Sequence, residues 1–170
     1  MIPRGSRRVS WQGPVRADDA LGAWRRFLGG GVDEGHRTFD HTGDLGLEVW
    51  AGTPERLYAR AAEALMSQIV EAPPGEPELW VRLALSGDDP GDLLVHWLNT
   101  ALLEAEVRGA VWTRAAVRGL TPRSLEGTLE GPRRGAPGQV MLREVKAVSH
   151  HGLEVDLGPG ACRCRLVLDI

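Results

Sequence analysis

A chain of 170 residues with 42% hydrophobic residues can bury the core of one domain and is too short for two large ones. A net charge of -3 and a pI near 6.0 exclude autonomous nucleic-acid binding, which relies on clustered Lys and Arg to displace counterions from phosphates. No apolar run approaches the roughly 20 residues that cross a bilayer, and the N-terminus lacks the apolar core of a secretory signal, so the expectation is a soluble, cytoplasmic protein without membrane contact.

Residues 1–32 carry Arg4, Arg7, Arg8, Arg16, Arg25 and Arg26 against Asp18 and Asp19, which makes this arm +4 and the remainder -7. Pro3, Gly5, Gly13, Pro14 and Gly29-Gly30-Gly31 discourage a continuous element, and Leu21, Trp24 and Leu28 have the spacing of a short amphipathic helix. The division is a basic extension over 1–32 and a folded domain over 33–170.

From Thr38 to Trp50 the pattern alternates, with Leu45, Leu47 and Val49 on one side and Asp44, Gly46 and Glu48 on the other, which predicts one half-buried strand. Thr53, Pro54 and Glu55 then open a helix: the hydroxyl caps, proline has no amide donor to waste, and the acid suits the positive helix end. Leu57, Tyr58, Ala61, Ala62, Leu65, Met66, Ile69 and Val70 continue it as one apolar stripe. Pro73, Pro74 and Pro77 end it, and Leu79–Leu85 reads as a strand with Leu79, Val81, Leu83 and Leu85 inward.

The same grammar returns. Asp89 caps a second helix at Pro90, and Leu93, Leu94, Trp97, Leu98, Ala101, Leu102 and Ala105 repeat the offsets of the first stripe. Strands are expected over Val111–Val117, Leu125–Glu130, Val140–His150, Leu153–Leu157 and Cys162–Ile170, separated by Gly/Pro turns, with a surface loop over Arg133–Gln139. The class is α+β: two helices packed on an antiparallel or mixed sheet, built from duplicated strand-helix-strand-strand units. Cys162 and Cys164, the two cysteines, lie two apart on a strand and read as small core residues, since a pair of thiolates leaves a tetrahedral metal site half empty.

Several chemistries have no residues to carry them. There is no G-x-S-x-G elbow, no phosphate-cradling loop and no H-E-x-x-H among His36, His41, His96, His150 and His151. Paired carboxylates remain. Asp40 and Asp44 point to the same side of an extended segment but lie roughly 13 Å apart, so only one can serve a given ion. At the far end Asp169 stands beside the carboxylate of Ile170, and such neighbours repel unless a cation sits there. A carboxylate from the first strand and oxygens from the last two residues would suit one hard cation.

Phe39-Asp40-His41-Thr42-Gly43-Asp44-Leu45-Gly46, Ala61-Ala62-Glu63-Ala64-Leu65, Asp92-Leu93-Leu94-Val95-His96-Trp97-Leu98-Asn99, Val145-Lys146-Ala147-Val148-Ser149-His150-His151 and Leu168-Asp169-Ile170 together resemble the archease family, in order from about residue 36 to residue 170. The family usually has alanine at Gly43, threonine-tyrosine at Ser149-His150, and no long basic arm. The resemblance implies a non-catalytic cofactor protein of the GTP-dependent, RtcB-type RNA ligase of tRNA splicing and RNA repair, which promotes guanylylation and turnover of the ligase and meets RNA only through it. It also implies a divalent metal, calcium, with Asp44, Asp169 and Ile170 as ligands, and the duplicated architecture. Asp40, His41 and Lys146 are the candidate partner contacts. Two other readings stand beside this one: a metal-dependent phosphoester hydrolase with His41 as base, and a metal-independent chaperone or adaptor for RNA-modifying enzymes.

Overall fold

The computed structural model describes residues 33–73 and 75–170, and the backbone alone of 8–11. The expected amphipathic segment Leu21–Leu28 lies outside the described residues. Ten strands and two helices are described: β1 (Arg8–Trp11), β2 (Gly35–His41), β3 (Asp44–Ala51), α1 (Pro54–Ile69), β4 (Val70–Glu71), β5 (Leu79–Ser86), α2 (Pro90–Arg108), β6 (Arg114–Thr121), β7 (Ser124–Gly131), β8 (Val140–Met141), β9 (Ala147–Gly158) and β10 (Ala161–Asp169). They form a five-stranded sheet in the order β1-β9-β10-β3-β2, a three-stranded sheet β5-β7-β6 and a two-stranded ribbon β4-β8. All described pairs are antiparallel except β1 with β9, so the larger sheet is mixed.

Both helices begin as their sequences dictate. The Thr53 hydroxyl accepts the Arg56 N–H at 3.2 Å, and the Asp89 carboxylate accepts the Asp92 N–H at 2.8 Å, each ahead of a proline that has no amide to satisfy. Gly109, at φ 59°, ends α2 in the left-handed conformation that glycine adopts most readily.

The duplication is present but nested. β3, α1, β9 and β10 make one unit, with β10 between β3 and β9; β5, α2, β6 and β7 make the other, with β7 between β5 and β6. The second unit is therefore inserted between α1 and β9 of the first. In chain order the strand expected at Leu79–Leu85 follows the first helix. That strand pairs with β7 and opens the second repeat, because the first finds its remaining strands near the chain end. Each helix packs on the opening strand of its own unit and the second strand of the other, α1 on β3 and β6, α2 on β5 and β9.

That placement explains the wide apolar arcs of the helices. Leu57, Tyr58, Leu65, Leu93, Leu94, Trp97 and Leu98 are fully buried, as are Leu47, Val49, Leu129, Leu166 and Leu168 on the strands. Buried polar atoms inside this core are satisfied: Tyr58 donates its hydroxyl to Pro90 O at 2.6 Å, Trp97 Nε1 donates to Tyr58 O at 2.9 Å, and Trp112 Nε1 to Ala101 O at 3.0 Å. Cys162 and Cys164 are 1% exposed, and burial pushes their thiols up to about 11 and about 12, as inert core residues require.

Two expected strands differ. Val140–His150 breaks after Met141, and residues 142–146 run without ladder pairing before β9 starts at Ala147. β9 then absorbs both expected late segments, with Gly152 at φ 66° where the register with β10 shifts between Arg165 and Val167. Val111 and Trp112 are buried ahead of β6 rather than within it.

Candidate metal corner

The expected single strand Thr38–Trp50 is a hairpin. The chain reverses at Thr42-Gly43, with His41 opposite Asp44 and Asp40 opposite Leu45, and Gly43 lies at φ 78°, the left-handed region that favours glycine. Asp40 and Asp44 therefore do not share a side. Partners across an antiparallel pair face the same way, so Asp40 follows Leu45 and Asp44 follows His41. The extended-chain geometry fails because a tight turn separates the two aspartates.

The same register joins the two distant carboxylates. β3 and β10 pair through Leu45 and Leu168, so Asp44 and Asp169 occupy the next step outward on neighbouring strands, with Cα atoms about 5 Å apart by strand geometry. Leu168 is fully buried and Leu45 packs against the core, which turns the alternating Asp44 and Asp169 to the face away from the helices. Both are partly exposed. The corresponding step in the second unit holds Trp80 opposite Glu130, which confines the aspartate pair to the first unit.

Lys146 completes this corner. Its backbone N–H donates to Asp169 O at 2.8 Å and its ammonium to Ile170 O at 3.2 Å. The chain end thus already has a cation beside it, a side chain expected from the sequence as a partner contact. Asn99, unremarked as a functional residue, fixes the segment in place: Val148 N–H donates to Asn99 Oδ1 at 2.8 Å, and Asn99 Nδ2 donates to Val148 O at 3.0 Å. The available signal was a single amide beside the apolar stripe of α2.

The donors offered are all oxygen, which suits a hard divalent cation. They are also few: among the described residues no three His, Cys, Asp or Glu side chains converge to hold an ion. Asp44, Asp169 and the Ile170 backbone oxygens would fill only part of the six to eight positions that calcium takes.

Around the corner, His41 meets His151 edge-on with ring centroids 6.0 Å apart, and His41 Nδ1 is buried with no hydrogen-bond partner among the described residues. His150 Nε2 lies 3.0 Å from Asp92 Oδ1 at the start of α2. Farther along the same sheet face, the Phe39 ring lies over Gly46 and the Arg165 guanidinium over Phe39 at 4.4 Å. Glu48, expected on a polar face, is only 4% exposed because it sits between the guanidiniums of Arg37, at 2.7 Å, and Arg163. Burial alone would raise its carboxyl; the Arg37 hydrogen bond and the charges of Arg163, Arg37 and Arg165 outweigh burial and hold it below the usual carboxylate range.

Residues 36–170 match the model of the Archease protein family. The chain belongs to the archease family. It is 33% identical over 136 residues to "Protein archease" of Methanopyrus kandleri, covering 77% of this chain and 96% of that one. It is 26% identical over 137 residues to that of Pyrococcus furiosus, covering 78% and 96%. The archease fold is also seen in the solution structure of Methanobacterium thermoautotrophicum protein 1598, at a TM-score of 0.66 and 24% identity over 80% of this chain and 99% of that one. The family match starts at His36 and ends at Ile170, so it takes in the hairpin, Lys146 and the last strand. In this archease-family chain no helix among the described residues is long and apolar enough to cross a membrane.

Proposed function

We infer that this chain is a non-catalytic accessory protein that binds a divalent cation, calcium, through Asp44, Asp169 and Ile170 and serves a GTP-dependent RNA ligase of the RtcB type in the cytoplasm. In this reading it promotes guanylylation of the ligase and its release for further turnovers, and RNA is met only through the ligase. Membership of the archease family supports the reading, and the observation that carries it is the adjacency of Asp44 and Asp169 at the ends of β3 and β10.

A bound cation would supply positive charge and open coordination positions at the protein surface, where phosphate or carboxylate oxygens of the partner would complete the shell. The residues of the chain supply rigidity. Asp44 and Asp169 stand one step beyond the Leu45–Leu168 pair on two neighbouring strands, whose register fixes their spacing. Lys146 draws in the backbone oxygen of Ile170, and Asn99 anchors the strand that begins after Lys146. On the neighbouring strand His41 shares the face of Asp44, and Asp40, on the opposite face, is exposed where a partner would reach it.

A hydrolase based on His41 is less well supported. A general base needs a second group that fixes its tautomer, and His41 Nδ1 has none among the described residues. The deciding experiment is guanylylation of the cognate ligase, with GTP, in the presence of wild-type protein or Asp44→Ala. Stimulation by the wild type and its loss in the folded variant is expected; full stimulation by the variant removes the metal corner from the account. Phosphoester turnover without any ligase would establish the enzyme instead, and a pull-down of the ligase unchanged by chelator would establish the adaptor.

A further inference from the structure

A groove of about 590 Å3 lies between the C-terminal half of α2 and the chain from Met141 to Lys146. Met66 and Ile69 of α1 and Leu102 of α2 line it, and its lips, Leu103 and Met141, are 60% and 56% exposed. Val107, one turn beyond Leu103 on the same side of the helix, is 72% exposed. Among the described residues seven large apolar side chains are exposed, and Trp80 alone falls outside this helix end, residues 140–142 and the chain terminus. Of these, Leu103 and Met141 line the groove itself, and a pair of exposed apolar side chains at the lips of an apolar groove marks an interaction surface rather than the scatter normal for a monomer.

Resting on the function proposed above, the geometry points to this groove as the docking site for an amphipathic segment of the ligase, with a large apolar side chain between Leu103 and Met141 and a carboxylate against Arg143. Three observations select that occupant. The groove continues the metal corner, since Lys146 lines it while its ammonium touches Ile170 O. The corner itself, two carboxylates and a chain end, is far smaller than the roughly 800 Å2 per partner that stable complexes bury, so a ligase seated there needs adjoining surface. The charged groups along the groove are Arg134, Arg143 and Lys146 against Glu106 and Glu144. Arg134 is held by Glu106 at 2.7 Å and Lys146 by Ile170, which leaves Arg143, with Glu144 next to it in the chain, as the groove cation that makes no ion pair among the described residues. The adaptable thioethers of Met66 and Met141 suit a surface that conforms to an incoming side chain.

The test measures binding of the full chain to the cognate ligase by biolayer interferometry, with guanylylation read in parallel, for wild type, Leu103→Asp, Met141→Asp, Arg143→Glu and Asp44→Ala. Leu103 and Met141 are exposed, so both aspartate variants should melt with the wild type. Each should bind at least about tenfold more weakly, a loss of the size expected at an interface anchor, and Arg143→Glu should weaken binding through faster dissociation. Asp44→Ala should lose stimulation while keeping most of its affinity. Wild-type affinity in both aspartate variants overturns the groove and leaves the metal corner standing. A wild-type protein that neither binds nor stimulates the ligase removes the underlying function and the groove with it. Self-association abolished by Leu103→Asp, with ligase binding intact, would assign the groove to a second copy of the chain and also overturns the proposal.

Discussion

Glu63 and Asn99 do the same work in the two repeats. Each lies nine residues beyond the proline that opens its helix, and each accepts the N–H of the second residue of the strand that opens the facing pair: Ala115 N to Glu63 Oε1 at 3.1 Å, Val148 N to Asn99 Oδ1 at 2.8 Å. The duplication therefore reaches down to side-chain hydrogen bonds, with each helix of one unit pinning a strand of the other. Asn99 holds β9 just behind Lys146. Glu63 is also bound by Arg56 and Arg60 at 3.2 and 3.3 Å, so the second copy of the pin is a charged network.

Asn99→Ala should lower stability by about 1–3 kcal/mol, since two partly buried backbone groups of Val148 lose their partners together. Asn99→Asp, which keeps the acceptor and loses the donor, should fall between. Urea denaturation checks this, and equal midpoints for wild type and Asn99→Ala would show that water replaces the amide at no cost. Because the pinned strand begins beside Lys146, the alanine variant should also speed amide exchange at Val148.

Gly46→Ala should destabilise by about 1–3 kcal/mol, because an added Cβ would overlap the Phe39 ring that lies across the glycine. In a protein of this size each kcal/mol corresponds to roughly 2–4 °C in Tm. Shrinking the ring in the double variant Phe39→Leu, Gly46→Ala should make the added methyl cheaper than it is against Phe39. A Gly46→Ala cost that is the same with either residue at position 39 would show that the ring does not decide it.

Acid should weaken the fold through Glu48 and Glu34. Both carboxyls are held below their ordinary value of 4.5, Glu48 by the balance described above and Glu34 first by its hydrogen bond from Arg56. A depressed carboxyl contributes stability that is complete above the unfolded value and is lost as pH falls through the folded one. His36, whose ring is lowered from 6.5 first by burial and then by Arg60, acts in the same direction, losing stability as pH drops below 6.5. Unfolding free energy measured from about pH 7 to pH 3 should fall in two stages, and Glu48→Gln should flatten the lower one. An unchanged lower stage in that variant would mean that the Arg37–Glu48–Arg163 cluster is not coupled to folding.

Calcium should raise the Tm of the wild type and not that of Asp44→Ala, since an ion that binds only the folded state stabilises by mass action, about 2.7 kcal/mol at a hundredfold excess over Kd. Terbium luminescence titration gives an independent reading of the same site. Equal shifts in both proteins would place the ion elsewhere. Replacing Lys146 by methionine should tighten calcium binding, because its ammonium shares the oxygen of Ile170 with any incoming ion.

Local signals in the chain were enough for the two helices, down to their capping residues Thr53 and Asp89, and for the inward faces of β3, β5 and β10, because caps and apolar periods depend on neighbours a few residues apart. The family likewise could be read from short motifs in order. Tertiary structure alone decided which strands pair. It nested one repeat within the other, folded Asp40 away from Asp44 at a two-residue turn, and set Asp169 beside Asp44 across 125 residues of chain. It also buried Glu48 between two arginines and brought Lys146 to Ile170. Those outcomes depend on closing long loops so that two helices are covered on both sides at once, a condition that no stretch of local sequence contains.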